Sequence, residues 1–90
     1  MLAPAAVEDL DRLLATLTLP ADTRARVRRS LRPLERFPLL GPELPDAWQS
    51  QRFLIGPWRW LVIVYEVVSP DLVMVVAIQD VRSSSAWPGG

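Results

Sequence analysis

Two short apolar runs near the C-terminal end constrain the fold of this chain most strongly. The runs are Trp60–Tyr65 and Leu72–Ile78, and Glu66 and the turn Ser69-Pro70-Asp71 lie between them. Both runs are far shorter than the roughly 18 residues of a membrane-spanning helix. Because so short a connection joins them, the two strands that they predict must be antiparallel. With a strand before them, they predict a three-stranded meander whose strands are Gln51–Ile55, Trp58–Val67 and Leu72–Val81.

The first part of the chain has the pattern of helices. Apolar residues recur on one helix face between Ala5 and Leu17, and Pro4 suits the first helical position. A second helix is predicted from about Asp22 to Arg36, and Pro33 should kink it or end it early. We therefore expect an α+β fold, with an N-terminal helical hairpin packed on a small antiparallel β-sheet. A single domain is expected over residues 1–85, with a disordered tail at 86–90.

The composition excludes several kinds of chemistry. The chain has no cysteine, no histidine and no lysine, and its ten basic residues are all arginine. A thiolate metal site, a cysteine nucleophile and a histidine general base are excluded, and we expect no metal and no cofactor. The net charge is zero, but residues 23–36 hold six arginines and one acid. This basic helix either docks on an RNA or an acidic partner, or is a solvated face.

The lengths of the turns predict a cluster of arginines. If Gly56-Pro57 is a two-residue turn and the next turn has four residues, Arg59 lies opposite Asp80. Arg52 and Arg82 then lie diagonal to Arg59, on the same face and at the same end of the sheet. Two interpretations are open. Either the three arginines bind a phosphate together, or Arg59 forms a surface salt bridge with Asp80 and the other two arginines have no role in a site. RNA cleavage would also need a general base, and the nearby carboxylates are Asp80 and Glu66. A neighbouring arginine keeps Asp80 ionised and makes it a weaker base.

The same register predicts two apolar sheet faces. The two helices can cover only one face, so the other should be a large exposed patch that a partner protein or a second copy covers. Trp58 and Trp60 share a strand face and are interpreted as core residues. The face with the arginines carries six further residues: Leu61, Ile63, Tyr65, Met74, Val76 and Ile78.

The order of these elements resembles the RelE/ParE superfamily of toxins from bacterial type II toxin–antitoxin modules. The resemblance covers about residues 2–85, through the segments LAPAAVEDLDRL, LERFPLLG, RFLIGPWRW, VYEV and VAIQDVRSS. It implies a helical hairpin against a small antiparallel sheet. The chain departs from the family in having only Met1 and Leu2 where the family has its first strand, which would leave a sheet edge unpaired. It also has no histidine or tyrosine near its C-terminal end.

The resemblance implies a cytoplasmic toxin that a cognate antitoxin neutralises, with no membrane contact and with a homodimer when antitoxin is absent. Members similar to RelE cut mRNA on the ribosome, whereas members similar to ParE inhibit DNA gyrase without nuclease activity. A truncated, inactive interaction module is the third alternative. For a RelE-like enzyme the resemblance implies that Arg59 and Arg82 are catalytic, at the scissile phosphate. Arg52 and Trp87 would then bind RNA, and the six apolar residues named above would bind the antitoxin.

Overall fold

The computed structural model describes residues 2–43 and 51–82. It confirms the predicted fold class: helices pack against a three-stranded antiparallel sheet in the order β1-β2-β3. Trp87 and the tail predicted to be disordered, 86–90, lie outside the described residues. The elements are α1 (Pro4–Thr16), α2 (Thr23–Leu31), a 3₁₀ helix (Arg32–Glu35), β1 (Arg52–Ile55), β2 (Leu61–Ser69) and β3 (Leu72–Asp80).

Proline positions explain where the helices begin and end. Pro4 occupies the start of α1, where its missing N–H costs no helical hydrogen bond. Pro33 lies in the first turn of the 3₁₀ helix, and α2 ends just before it, at Leu31. The early end that Pro33 predicts is therefore confirmed. In the described part of the chain, no helix combines the length and the apolar composition needed to cross a membrane.

The connection between β1 and β2 is longer than predicted. Ile55 pairs with Val62 rather than with Trp58, so residues 56–60 form a loop and β2 begins only at Leu61. The Gly56 N–H donates to the Leu61 carbonyl (2.7 Å), which closes this loop. As a result, Arg52 lies opposite Tyr65, in the middle of the sheet, and the predicted position of Arg52 diagonal to Arg59 is wrong.

The register between β2 and β3 also differs from the prediction. Ser69 pairs with Leu72, so the turn has two residues rather than four. Val68 on β2 and Val76 on β3 have no partner in the ladder, and each shifts the register by one residue. Such bulges change which side chains share a face. Asp80 consequently pairs with Leu61, and its predicted pairing with Arg59 is wrong.

The bulge at Val76 divides the six residues predicted to bind an antitoxin between the two faces. Four of them are at most 2 % exposed and pack in the core with side chains of α1 and α2: Leu61, Ile63, Tyr65 and Ile78. Met74 pairs with Glu66 on the opposite face, and Val76 packs there with Val62, Val64 and Ala77. The six residues therefore do not form one surface, and the prediction that they do is wrong because it ignored the bulge.

The second face of the sheet is not an open apolar patch. Val62 and Val64 are each 2 % exposed and Ala77 is 6 % exposed in the single chain. Phe53 and Val81 pack against these residues and are themselves partly buried. The expectation that this face is a large exposed patch is therefore wrong.

The free edge of β3 is partly paired by the N-terminal residues. Leu2 forms an isolated parallel bridge with Val75, and the Ala3 N–H donates to the Val75 carbonyl at 2.8 Å. Further along, Asp9 of α1 accepts the Ile78 N–H at 3.0 Å on its Oδ2 atom. The edge expected to be unpaired is thus satisfied in part by a short extended segment and by a helix side chain.

Candidate functional site

Arg59 and Arg82 lie at the same end of the sheet. The Val81 N–H donates to the Trp60 carbonyl at 2.9 Å, which continues the β2–β3 ladder beyond the pair of Leu61 and Asp80. Arg59 precedes Trp60 and Arg82 follows Val81, so both arginines adjoin the residues of this hydrogen bond. The structure therefore brings together two of the three arginines that the sequence predicts to cluster.

Asp80 and an aromatic ring hold Arg82 in place. The Arg82 Nε and Nη2 atoms donate to the two Asp80 carboxylate oxygens at 3.0 and 2.9 Å, and the Arg82 backbone N–H adds a third bond at 2.9 Å. The guanidinium carbon lies 4.1 Å from the centroid of the Trp60 ring, within the range of a cation–π contact. The alternative prediction, a salt bridge between Arg59 and Asp80, is therefore wrong, because the Asp80 carboxylate binds Arg82 instead.

Two tryptophans connect this end of the sheet to helix α2. The Trp58 and Trp60 rings stack with centroids 5.5 Å apart and planes within 4° of parallel. The Arg26 guanidinium lies over the Trp58 ring, 5.8 Å from its centroid. We call Arg26, Trp58, Trp60 and Arg82 the arginine–tryptophan column. Both tryptophans lie in the loop rather than on a strand face, although they do pack against the core as predicted.

The column leaves the tryptophan faces unsuited to stacking on a nucleic acid base. Each indole contacts the other indole on one side, and a guanidinium lies over each ring. The column therefore holds Arg26 and Arg82 against the indole rings. Sequence reasoning missed Arg26, because only the packing of α2 against the loop 56–60 brings it to Trp58.

Arg59 is the accessible cation of this site. Its side chain is exposed, and it forms no hydrogen bond or ion pair within residues 2–43 and 51–82. A guanidinium without a partner can offer both of its donor edges to a phosphate. Arg59 is therefore available to a ligand, whereas Arg82 at the same end of the sheet is already fixed by Asp80.

Arg52 lies away from this site. Its position opposite Tyr65 is four residues along β2 from Leu61, or about 13 Å at the rise of a strand. Its Nη1 atom donates to the Gly41 carbonyl at 2.8 Å, and its Nη2 atom lies 3.1 Å from a Glu43 oxygen. Arg52 thus holds the loop before β1 in place, and its predicted place in the arginine cluster is wrong.

The site has little capacity for proton transfer. Hydrogen bonds from Arg82 lower the pKa of Asp80 below its ordinary value of 3.8, which makes this carboxylate a weak base near neutral pH. Glu66 pairs with Met74 near the other end of the sheet, so it does not reach Arg59. No group of three metal-binding side chains occurs among the described residues. The arrangement can bind and orient an anion through its arginines.

Comparison with known proteins gives no assignment. Neither protein-family models nor curated protein sequences match this chain.

Proposed function

We propose that this chain is the toxin component of a type II toxin–antitoxin module and that it cuts mRNA on the ribosome in the manner of RelE. One observation carries the proposal: Arg59 and Arg82 lie at the same end of the sheet, next to the Val81–Trp60 hydrogen bond. Within residues 2–43 and 51–82 Arg59 has no hydrogen-bond or ion-pair partner, whereas Asp80 fixes Arg82. The helices on a three-stranded antiparallel sheet also agree with the fold that the resemblance implies.

In this proposal Arg59 binds the scissile phosphate. Its guanidinium donates to the non-bridging oxygens and stabilises the negative charge that develops as the 2′-hydroxyl oxygen attacks phosphorus and the bond from phosphorus to the 5′-oxygen breaks. Water takes the 2′ proton and gives a proton to the leaving 5′-oxygen, so the products are a 2′,3′-cyclic phosphate and a 5′-hydroxyl. Arg82 remains on Asp80 and presents its outer edge to the same phosphate, in an orientation that Trp60 fixes. The protein thus contributes positioning and charge rather than proton transfer.

A second function is favoured by the state of Asp80. Because Arg82 lowers the pKa of this carboxylate and Glu66 lies elsewhere, the described part of the site offers no base for the 2′-hydroxyl. A protein that binds its target without chemistry needs no such base. Inhibition of DNA gyrase in the manner of ParE is therefore the alternative.

Induced expression in bacteria tests both functions. Growth, the 5′ ends of cellular mRNA and the supercoiling of a reporter plasmid are measured for the wild type and for the double variant Arg59→Ala with Arg82→Ala. The matched control is Arg32→Ala with Arg36→Ala, which removes the same charge from two exposed residues at the start and the C-cap of the 3₁₀ helix. Circular dichroism of each purified protein verifies that it is folded.

The proposal expects growth arrest with cut mRNA for the wild type and the control, and neither for the double variant. Arrest with intact mRNA and relaxed plasmid supports the gyrase alternative. Growth without arrest for the wild type indicates an inactive interaction module. Unchanged arrest and mRNA cleavage by the double variant contradicts the assignment of these two arginines.

A further inference from the structure

A groove between α2 and the loop 56–60 lies next to the arginine–tryptophan column. It has a volume of about 270 Å³ and is lined by Arg26, Arg29, Ser30 and Pro57. Arg26 and Arg29 are three residues apart, so they project from the same face of α2. Because Arg26 also lies over Trp58, the groove and the column share this side chain.

The donors in this groove are not fully occupied. The Arg26 Nε atom lies 2.9 Å from the Asp22 Oδ2 atom, which is the ion pair of that side chain within the described residues. Arg29 is exposed and has no ion-pair or hydrogen-bond partner in the same part of the chain. The Ser30 hydroxyl donates to the Arg26 carbonyl at 3.0 Å, so its proton is already used. The groove therefore presents guanidinium donors to an incoming anion.

A second groove on α2 provides a comparison. It lies against the start of β3, has a similar volume of about 250 Å³, and is lined by two arginines and two acids among other residues: Arg28, Arg32, Glu35 and Asp71. The first groove has two arginines with Asp22 as their neighbouring acid. Size does not distinguish the two grooves, but charge does, because only the first keeps a net positive charge.

We propose that the groove of Arg26 and Arg29 binds a backbone phosphate of the same RNA strand that contacts Arg59. Pro57 lines the groove and Arg59 follows it by two residues on the same loop, so the groove adjoins the loop that carries Arg59. The column begins at Arg26 in the groove and ends at Arg82, at the same end of the sheet as Arg59. The choice of RNA as ligand rests on the proposed function, whereas the site itself rests on the charge and geometry of the groove.

The binding of a fluorescein-labelled single-stranded RNA of ten nucleotides tests the groove. Affinities are measured by fluorescence anisotropy at several salt concentrations for the wild type, Arg29→Ala and Arg28→Ala. The two variants remove the same charge from neighbouring exposed positions, but they face different grooves. Arg29→Lys shows whether charge alone or the guanidinium fork is needed.

We expect Arg29→Ala to weaken RNA binding roughly fivefold, as for one exposed charge contact. The slope of log affinity against log salt should also become shallower by about 0.7, the value for one single-strand phosphate contact. Arg28→Ala should bind as the wild type does. Equal losses in the two alanine variants, no loss in Arg29→Ala, or no RNA binding by the wild type would each overturn the proposal.

Failure of the groove and failure of the proposed function give different results. Cut mRNA in cells together with unchanged RNA affinity in Arg29→Ala overturns the groove and leaves the ribonuclease proposal standing. Intact mRNA in cells together with weakened RNA affinity in Arg29→Ala supports the groove and contradicts the ribonuclease proposal.

Discussion

Removal of one buried hydroxyl should measurably destabilise this protein. Tyr65 is fully buried, and its hydroxyl oxygen accepts the Gly41 N–H at 2.8 Å. This bond joins the centre of β2 to the loop before β1. Tyr65→Phe leaves the ring in the core but deprives the buried Gly41 N–H of its acceptor. The variant therefore isolates the cost of one unsatisfied backbone donor.

The size of the effect follows from the burial of this donor. An unsatisfied buried group costs about 1–3 kcal/mol, because it has lost water without gaining a protein partner. For a domain of this length, each kcal/mol lowers the melting temperature by about 4–8 °C. Tyr65→Phe should therefore lower the free energy of unfolding by about 2 kcal/mol and the melting temperature by roughly 10 °C.

Urea denaturation followed by tryptophan fluorescence measures this change. The control is Thr16→Val, which removes an exposed hydroxyl that donates to the Arg12 carbonyl of its own helix, and it should change stability by less than about 0.5 kcal/mol. A companion variant, Gly41→Ala, should be more destabilising, because a Cβ there would overlap the Phe53 carbonyl oxygen. If Tyr65→Phe unfolds at the same urea concentration and with the same m-value as the wild type, the reasoning is refuted.

Two further predictions concern acidic side chains. Asp9→Ala removes the acceptor of the Ile78 N–H and should cost about 1–2 kcal/mol in urea denaturation, whereas the exposed neighbour Glu8→Ala should be close to neutral; equal losses would contradict the assigned role. Hydrogen bonds from Arg82 lower the pKa of Asp80 in the folded state below the ordinary value of 3.8, which applies to the unfolded chain. The pair therefore stabilises the fold at pH values above 3.8, and this stabilisation is lost as the pH falls through the pKa of the folded state. Stability measured between pH 5 and 2 should therefore decline less steeply in Asp80→Asn, and identical profiles would contradict this sign.

The helices were predictable because their signals are local. The apolar spacing of α1 lies within one segment, and Pro33 acts on the turn in which it occurs. The helix consequently begins at Pro4, as predicted, and ends at Thr16, one residue before the last apolar residue of the predicted face, Leu17. The existence and order of the three strands were predictable for the same reason, since apolar runs and turn residues mark them directly.

The register was not predictable, and the site depended on it. The unpaired residues Val68 and Val76 are ordinary strand residues, and nothing in their type signals a bulge. Loop 56–60 contains Trp58 and Trp60, whose size and apolarity resemble those of a strand. The longer loop shifted the partner of Arg52 by four residues along β2, from the predicted Leu61 to Tyr65, and so moved Arg52 away from the predicted cluster.

Contacts between distant segments were the second source of error. Arg26 reaches Trp58 only because α2 packs beside loop 56–60, and no local pattern marks that arginine among the six of residues 23–36. The location of Arg59 and Arg82 at one end of the sheet was nevertheless predictable. Both residues lie at the end of the β2–β3 hairpin away from its turn, in the predicted register and in the observed one.

The action of the purified chain on mRNA-programmed ribosomes tests the central claim most directly. The 5′ ends of the mRNA are mapped after incubation with the wild type and with the variant Arg59→Ala, Arg82→Ala. The account predicts new 5′ ends with the wild type and none with the double variant, while Arg32→Ala, Arg36→Ala cuts as the wild type does. Cleavage by the double variant at the wild-type rate would contradict it.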